Sequence, residues 1–218
     1  MMLNNKQMEA VNHKEGPCLV LAGAGSGKTR VLTERIIKLI DDGVSPYNIL
    51  AITFTNKAAK EMRERVEAKI DTIADSIFIG TFHSFGLRIL RENYSDIGYT
   101  SNITILDTDD TKALIKRILK ENSYDPANYD IKHIISRISS AKNDGLSPLE
   151  YSKLFLRDED KVISFVYEKY IKLLKENNSV DFDDLLLKPV ELFKKRKDIL
   201  EKYQERFKYI LVDEYQDT

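Results

Sequence analysis

Short apolar runs alternate with longer amphipathic segments in the first third of the chain. Three such runs are bounded by turn-forming residues, at positions 18–22, 49–54 and 76–80. Their length and apolar character are typical of strands that are buried on both faces of a sheet. Apolar residues recur at helical spacing after each run, over residues 31–40, 56–70 and 85–90. This alternation predicts the α/β class, with parallel strands and helices packed on the sheet faces.

The pattern changes from about residue 107 to residue 180, where strand signals fade and helical stripes dominate. The apolar stripes lie at residues 113–119, 131–138 and 162–174. Asp125-Pro126 and the stretch from Gly145 to Pro148 separate these stripes as loops. We therefore predict an all-helical insertion domain over residues 107–180, placed within an α/β domain that is made of residues 1–106 and 181–218.

The last part of the chain returns to the first pattern. Residues 185–193 and 199–207 are expected to be helical, although Pro189 can kink or break the first of these helices. Residues 209–212 then predict a buried strand that leads into an acidic pair. Because the strands of a parallel sheet need cover on both faces, a chain that stops just after such a strand is expected to belong to a longer protein.

Composition excludes several classes of protein. A hydrophobic share of 42% in 218 residues excludes a disordered chain, and a net charge of −1 excludes a histone-like polycation. No run approaches the roughly 18 apolar residues of a membrane span, so we expect no membrane association. Cys18 is the only cysteine, which excludes an internal disulfide. It is expected to be a small core residue in a protein of the reducing cytoplasm.

A phosphate-binding loop follows the first predicted strand. The segment fits G-x-x-x-x-G-K-[ST] apart from its first position, and its residues are Ala22, Gly23, Ala24, Gly25, Ser26, Gly27, Lys28 and Thr29. Small residues let backbone N–H groups wrap a phosphate, and the helix that follows directs its positive end at the anion. Lys28 would reach the β- and γ-phosphates of a nucleotide, and the Thr29 hydroxyl would bind Mg²⁺.

The acidic pair that follows the last predicted strand supplies the second half of such a site. Asp213 would hold the hydration shell of Mg²⁺, and Glu214 would act as general base on the attacking water. Adjacent residues of a strand point to opposite faces of the sheet. Both carboxylates can therefore face one phosphate only if the strand turns into a loop at this point.

These residues, together with several other segments, resemble the UvrD/PcrA/Rep group of superfamily 1 DNA helicases over the whole chain. The family itself has alanine at the position of Ala22, and the resemblance implies that Gln7 binds the adenine edge and that Arg30 lies against the adenine. It also implies that Gln216 senses the γ-phosphate or couples it to DNA. Phe182-Asp183-Asp184-Leu185 matches a further short motif, to which we assign no role.

Two segments match the parts of these helicases that contact single-stranded DNA. Their candidate residues are Phe54, Thr55, Asn56 and Lys57, and Thr81, Phe82 and His83. Taken alone, the residues favour a core phenylalanine at position 54 and a helix-cap or core histidine at position 83. The basic residues at positions 57–65 can neutralise phosphates or pair with the interleaved glutamates. Lys142 is a candidate contact to duplex DNA.

The resemblance implies a P-loop RecA-like fold, interrupted by the helical insertion. It implies an enzyme that couples ATP hydrolysis, with Mg²⁺, to 3′-to-5′ movement on single-stranded DNA and to unwinding of duplexes at single-strand/double-strand junctions. A second motor domain of the same parent chain would complete the ATP site, with repair or replication proteins as further partners. The 218-residue chain alone is expected to be nearly inactive.

Two other functional classes stay open at this point. One is a nucleotide kinase or other P-loop phosphotransferase in which the helical middle acts as a lid. Phosphate transfer that is indifferent to DNA would favour it, although a water-activating glutamate suits hydrolysis better than transfer to a hydroxyl. The other is a binding module without enzymatic activity, whose affinity for DNA would survive Lys28→Ala and ignore ATP.

Overall fold

The computed structural model describes residues 3–23, 25–154 and 157–217, with the side chains of residues 71–73 and 217 left aside. The chain divides into two compact units: the first unit is Met1–Phe85 with Arg196–Thr218, and the second unit is Gly86–Lys195. The boundaries at residues 107 and 180 that the sequence predicts for an insertion domain stay a prediction. None of the described helices is both long enough and apolar enough to cross a membrane.

Ten α-helices and five strands are assigned in this part of the chain. The helices are α1 Asn5–Asn12, α2 Lys28–Asp41, α3 Asn56–Ile70, α4 Phe82–Glu92, α5 Thr108–Glu121, α6 Ile131–Asn143, α7 Pro148–Leu154, α8 Asp158–Glu176, α9 Asp184–Lys195 and α10 Lys197–Arg206. The strands are β1 Ile49–Thr53, β2 Phe78–Thr81, β3 Thr104–Ile105, β4 Ser179–Val180 and β5 Tyr209–Val212.

A three-stranded parallel sheet in the order β2-β1-β5 forms the centre of the first unit. All five residues of β1 are buried. One face of the sheet packs against Ile36 of α2 and Met62 of α3. On the other face, Phe78 belongs to an aromatic cluster with Phe85, Tyr203 and Phe207. The prediction of an α/β fold with parallel strands and helices on both faces is confirmed.

Residues 18–22 depart from the predicted buried strand. They form no strand, and Leu19, Val20 and Leu21 are 66%, 43% and 86% exposed. Cys18 is exposed as well, so its prediction as a core residue is wrong. An apolar run is buried as a strand only where it pairs with a sheet edge and is covered on both faces. The described part of the first unit offers these residues neither a partner strand nor a cover.

Strand β5 is present as predicted, but it is not buried on both faces. Leu211 is 9% exposed and belongs to the core, whereas Ile210 is 62% exposed. Strand β5 lies at the edge of the described sheet, and the exposure of Ile210 shows that the second face of the strand lacks cover there. The sequence shows four consecutive apolar or aromatic residues here and cannot show which face lacks a neighbour.

Helices dominate the second unit, as the apolar stripes predict. A core of buried residues from α5, α6 and α8 includes Ile118, Ile138 and Tyr170. The unit also contains a two-stranded parallel sheet of β3 and β4, with Thr104 opposite Ser179. The sequence does not predict these strands, since two residues are too few to show a period.

Helix α9 continues through Pro189 without a break. A proline has no N–H to donate to the carbonyl four residues earlier, which here is that of Leu185. Gly86 of α4 lies against that same carbonyl, and a Cβ built on Gly86 would be 1.8 Å from the oxygen. The missing Cβ therefore lets the backbone of α4 approach the carbonyl group to which Pro189 cannot donate.

Candidate functional site

The carboxyl ends of the three parallel strands of the first unit meet at one edge of the sheet. Thr53 pairs with Thr81 and Ile52 with Val212, so the strands end level with one another. The segments that follow β1, β2 and β5 begin at Phe54, Phe82 and Asp213. Three of the motifs that the sequence singles out therefore lie side by side at this edge.

Helix α2 begins directly at the predicted phosphate-binding loop. Its N-cap is Gly27, whose φ of +86° is left-handed, and no side chain caps the helix. The N–H groups of the first turn are therefore not occupied by a capping side chain, and the helix end is a suitable anion site. Lys28 donates to the carbonyl oxygen of Ala22 at 3.2 Å, and the Ser26 hydroxyl donates to the carbonyl oxygen of Gly23 at 2.7 Å. Ala24 lies outside the described residues.

The end of β5 is in direct contact with the start of α2. The Thr29 hydroxyl donates to Oδ2 of Asp213 at 3.1 Å, across 184 positions of sequence. The backbone N–H of Asp213 donates to the carbonyl of Ile52 at 2.8 Å, and Asp213 is 6% exposed. A hydroxyl and a carboxylate are the oxygen donors that Mg²⁺ prefers, so this pair fits the ion. No group of three or more His, Cys, Asp or Glu residues among the described residues could hold a metal.

The strand turns into a loop at the acidic pair, which is the condition for both carboxylates to face one phosphate. Strand β5 ends at Val212, and Glu214 has a φ of +50°. The amide of Gln216 donates a hydrogen bond to Oε2 of Glu214. The carboxylate of Glu214 is thereby held by a neighbour on the same loop.

Gln7 contacts the phosphate-binding loop. Its side chain accepts from the backbone of Asn4, which completes a capping box at the start of α1. Its amide Nε2 donates to the carbonyl oxygen of Ser26 at 2.9 Å. Arg30 lies in the first turn of α2 and is half-buried. The residues that the sequence assigns to adenine and to phosphate are therefore brought together by α1 and α2.

The segment after β1 is exposed to solvent. Phe54 is 56% exposed, and Thr55, Asn56 and Lys57 are exposed too. The core position that the residues alone favour for Phe54 is therefore wrong. The segment after β2 differs, because Thr81 is 6% exposed and its hydroxyl accepts from the N–H of Ser84 at 3.2 Å. Thr81 thus caps α4, while Phe82 and His83 are half-buried in its first turn.

Much of the basic charge at the start of α3 is engaged within the protein. Nζ of Lys60 lies 3.9 Å from Oε1 of Glu64, and Nη2 of Arg65 lies 3.8 Å from Oε2 of Glu61. Arg63 donates to the carbonyl oxygen of Ile79 at 2.9 Å. The helix therefore presents an ion-paired face, which is the second of the two interpretations that the sequence leaves open.

Lys142 is buried in the second unit, so its prediction as a contact to duplex DNA is wrong. Its ammonium group lies 2.6 and 2.7 Å from the two carboxylate oxygens of Asp181 and 2.9 Å from Asp184. The Tyr170 hydroxyl donates to Asp181 at 2.9 Å. Burial raises the pKa of Asp184 against the opposing charge of Lys142, and the charge of Asp181 adds to the rise. Burial likewise raises the pKa of Tyr170.

The chain matches a known family and several named proteins. Residues 3–218 match the family model described as UvrD/REP helicase N-terminal domain. The chain is 53% identical over 217 residues to the ATP-dependent DNA helicase PcrA of Bacillus subtilis (strain 168) and 49% identical over 218 residues to that of Leuconostoc citreum. Identity to PcrA of Staphylococcus aureus (strain Mu50 / ATCC 700699) is 46%. These matches cover 99% of this chain but only 29–30% of the relatives.

Proposed function

Because the chain belongs to the UvrD/REP helicase family, whose N-terminal domain it matches, we propose that it is the ATP-binding part of a DNA helicase with a RecA-like motor domain. The observation that carries this proposal is the hydrogen bond of 3.1 Å between Thr29 and Asp213. It joins the phosphate-binding loop to the acidic pair, which are the two halves of a nucleotide hydrolysis site. The family match does not favour the alternative of a nucleotide kinase.

The proposed roles follow from position at the site. The loop from Ala22 to Gly27 surrounds the phosphates with backbone N–H groups, and Lys28 moves from Ala22 to the β- and γ-phosphates. Thr29 and Asp213 hold Mg²⁺, which supplies charge neutralisation at the phosphates when it is bound. Glu214 accepts a proton from the attacking water, and Gln216 orients Glu214 and links it to the γ-phosphate. Gln7 and Arg30 form the adenine side of the site.

Single-stranded DNA is the proposed partner of the sheet edge. Phe54 stacks on a base, since an exposed aromatic ring accepts any base without sequence selection. Thr55, Asn56, Lys57, Phe82 and His83 contact the strand around it, and Thr81 supports them as the cap of α4. In the parent enzyme, ATP hydrolysis drives 3′-to-5′ movement and unwinding at junctions. A location in the cytoplasm and a role in DNA repair or replication belong to the same proposal.

Binding of a fluorescent ATP analogue to the 218-residue chain tests the nucleotide site. Thr29→Ala and Asp213→Asn should each weaken binding about tenfold or more in Mg²⁺ and much less in EDTA, because both side chains act through the ion. The double variant should be little weaker than either single variant, since the two groups share one function. Asp144→Asn is the control, because Asp144 is an exposed aspartate of the second unit. Equal losses with and without Mg²⁺ would contradict the proposal.

Binding of a fluorescent oligothymidylate of sixteen nucleotides, measured by fluorescence anisotropy, tests the DNA site. Loss of one base–aromatic stack costs roughly 1–3 kcal/mol, so Phe54→Ala should weaken binding by about five- to 150-fold. The matched control is Tyr47→Ala, which removes an aromatic ring that is 59% exposed just before the amino end of β1. If both variants lose affinity equally, DNA does not bind at the carboxyl edge of the sheet.

A further inference from the structure

A single residue, Phe54, joins strand β1 to helix α3. The strand ends at Thr53, and the helix begins at Asn56. Thr55 is the N-cap of the helix, because its hydroxyl accepts from the N–H of Ala58 at 3.1 Å. Phe54 therefore lies outside both regular elements, and it is 56% exposed. Its orientation depends on how its two neighbours are held.

Thr53 brings a hydroxyl group into a strand that is otherwise apolar. The other residues of β1, at positions 49–52, are isoleucine, leucine or alanine, and the whole strand is buried. Thr53 itself is 0% exposed. A hydroxyl in such a place costs free energy unless it is hydrogen-bonded. Its Oγ1 donates to the carbonyl oxygen of Thr55 at 3.0 Å, and this bond closes the chain around Phe54 into a turn.

Thr55, on the other side of Phe54, is bonded to both elements. Its carbonyl oxygen accepts from the Thr53 hydroxyl and also from the N–H of Ala59, each at 3.0 Å. A carbonyl oxygen has two lone pairs, so both bonds can be made at once. The bonds from Ala58 and Ala59 fix Thr55 to the helix, and the bond from Thr53 fixes it to the strand. The buried hydroxyl therefore joins the two elements across the exposed ring.

The neighbouring strand β2 holds the segment that follows it in a different way. Thr81 is opposite Thr53 in the sheet, and helix α4 begins directly after it. Thr81 caps that helix itself: its hydroxyl accepts from the N–H of Ser84, and its N–H donates to the Ser84 hydroxyl at 2.8 Å. No residue lies between β2 and α4, and Phe82 is half-buried in the first turn. Of these two strand ends, that of β1 is therefore the one that presents an exposed ring from a turn.

We propose that Thr53 is a positioning residue for DNA binding, whose hydroxyl holds Phe54 in the orientation in which its ring stacks on a base. The inference rests on the proposed function, in which Phe54 contacts single-stranded DNA. A segment that is held in its binding conformation loses less conformational freedom when the ligand binds, so the affinity is higher. Without the hydroxyl, the turn samples other orientations and part of this gain is lost. Thr53 is buried and acts only through Phe54.

The test measures binding of the same fluorescent oligothymidylate to variants of the complete 218-residue chain. Thr53→Val removes the hydroxyl from a strand position that suits valine, and it should weaken DNA binding about two- to tenfold, which corresponds to one hydrogen bond. Thr53→Ser keeps the hydroxyl and should bind DNA like the parent. Thr33→Val is the matched control, because Thr33 of α2 is 3% exposed and its hydroxyl donates to the carbonyl oxygen of Thr29 at 2.9 Å. This control should leave the affinity for DNA unchanged.

A double variant separates positioning of the ring from a general loss of stability. In a Phe54→Ala chain, Thr53→Val should weaken DNA binding no further, since no ring is left to position. In Thr53→Val alone, the NMR order parameter of the Phe54 N–H should fall below the value of about 0.85 that a rigid backbone shows. Additive losses in the double variant, an unchanged order parameter, or an equal loss in Thr33→Val would overturn the inference and leave the DNA site in place. If Phe54→Ala alone binds DNA like the parent, the proposed DNA site is overturned and this inference with it.

Discussion

Replacement of Lys142 by methionine is the sharpest test of the second unit. The lysine has a side-chain exposure of 6% and is within 2.9 Å of carboxylate oxygens of both Asp181 and Asp184. Methionine has nearly the same length and fills the same space without the charge. Lys142→Met therefore removes these ion pairs and preserves most of the packing. It leaves Asp181 buried without its cation and leaves Asp184 with Lys188 alone, at 3.5 Å.

The expected cost follows from the chemistry of buried charges. Removal of one partner from a buried ion pair destabilises a protein by about 3–5 kcal/mol, because the remaining charge is left uncompensated. Whole domains are stable by about 5–15 kcal/mol, so this loss is a large fraction of the total. With a slope of about 2 kcal/mol per molar urea, the unfolding midpoint should fall by roughly 2 M.

Urea unfolding followed by far-UV circular dichroism measures the effect, and its pH dependence identifies the cause. The pKa of Asp184 is already raised by burial with Lys142 present, and loss of the lysine raises it further. Between the usual carboxyl pKa near 4 and this raised pKa, the folded variant binds more protons than the unfolded chain. Its unfolding free energy should therefore fall as the pH rises through that window, more steeply than in the parent.

Two controls separate this explanation from a DNA contact. Lys132→Met removes an exposed lysine from the same helix and should leave the midpoint unchanged. Asp181→Asn and Asp184→Asn, added to Lys142→Met, remove the uncompensated charges and should restore much of the loss. An unchanged unfolding midpoint of Lys142→Met, together with weaker binding of duplex DNA, would show that Lys142 contacts DNA and does not stabilise the fold through its ion pairs.

Three further substitutions test other parts of the structure. Gly86→Ala should destabilise the chain by about 3 kcal/mol or more, because its Cβ would be 1.8 Å from the carbonyl oxygen of Leu185; an unchanged urea midpoint would refute that contact. Burial raises the pKa of Tyr167 to about 12. The neutral hydroxyl therefore contributes fully to the unfolding free energy below pH 10, and this contribution is lost as the pH rises toward 12. Tyr167→Phe should therefore flatten the alkaline unfolding curve, and an unchanged curve would contradict this. Glu214→Gly should stabilise the chain by roughly 0.5–1 kcal/mol, because φ is +50° there, while it removes the proposed general base; a lower midpoint would argue against backbone strain.

The phosphate-binding loop is the part of the site that the sequence predicts most completely. Its chemistry is local, since Gly27, Lys28 and Thr29 are consecutive and helix α2 begins among them. The periodicity of the helices is equally local, which is why α2, α3 and α10 lie close to where the apolar spacing predicts them. The strands β3 and β4 escape such analysis because each has only two residues.

Burial is what the sequence could not decide. Phe54 and Lys142 are the clearest cases. The residues alone favour a core phenylalanine, and Lys142 is predicted to contact duplex DNA, whereas Phe54 is exposed and Lys142 is buried. The apolar run at residues 18–22 shows the same limit, since its exposure depends on which neighbours cover it. Burial depends on residues that are distant in sequence, and no local pattern records them.

The sequence by itself determined the family resemblance, the α/β class and the identity of the groups that meet at the proposed nucleotide site. Only the tertiary structure showed that Thr29 and Asp213, 184 positions apart, are within hydrogen-bond distance. It also showed that the buried Lys142 joins Asp181 and Asp184. The physical reason is the same in both places: a side chain's chemistry is a property of the residue, whereas its partners are set by how the chain packs.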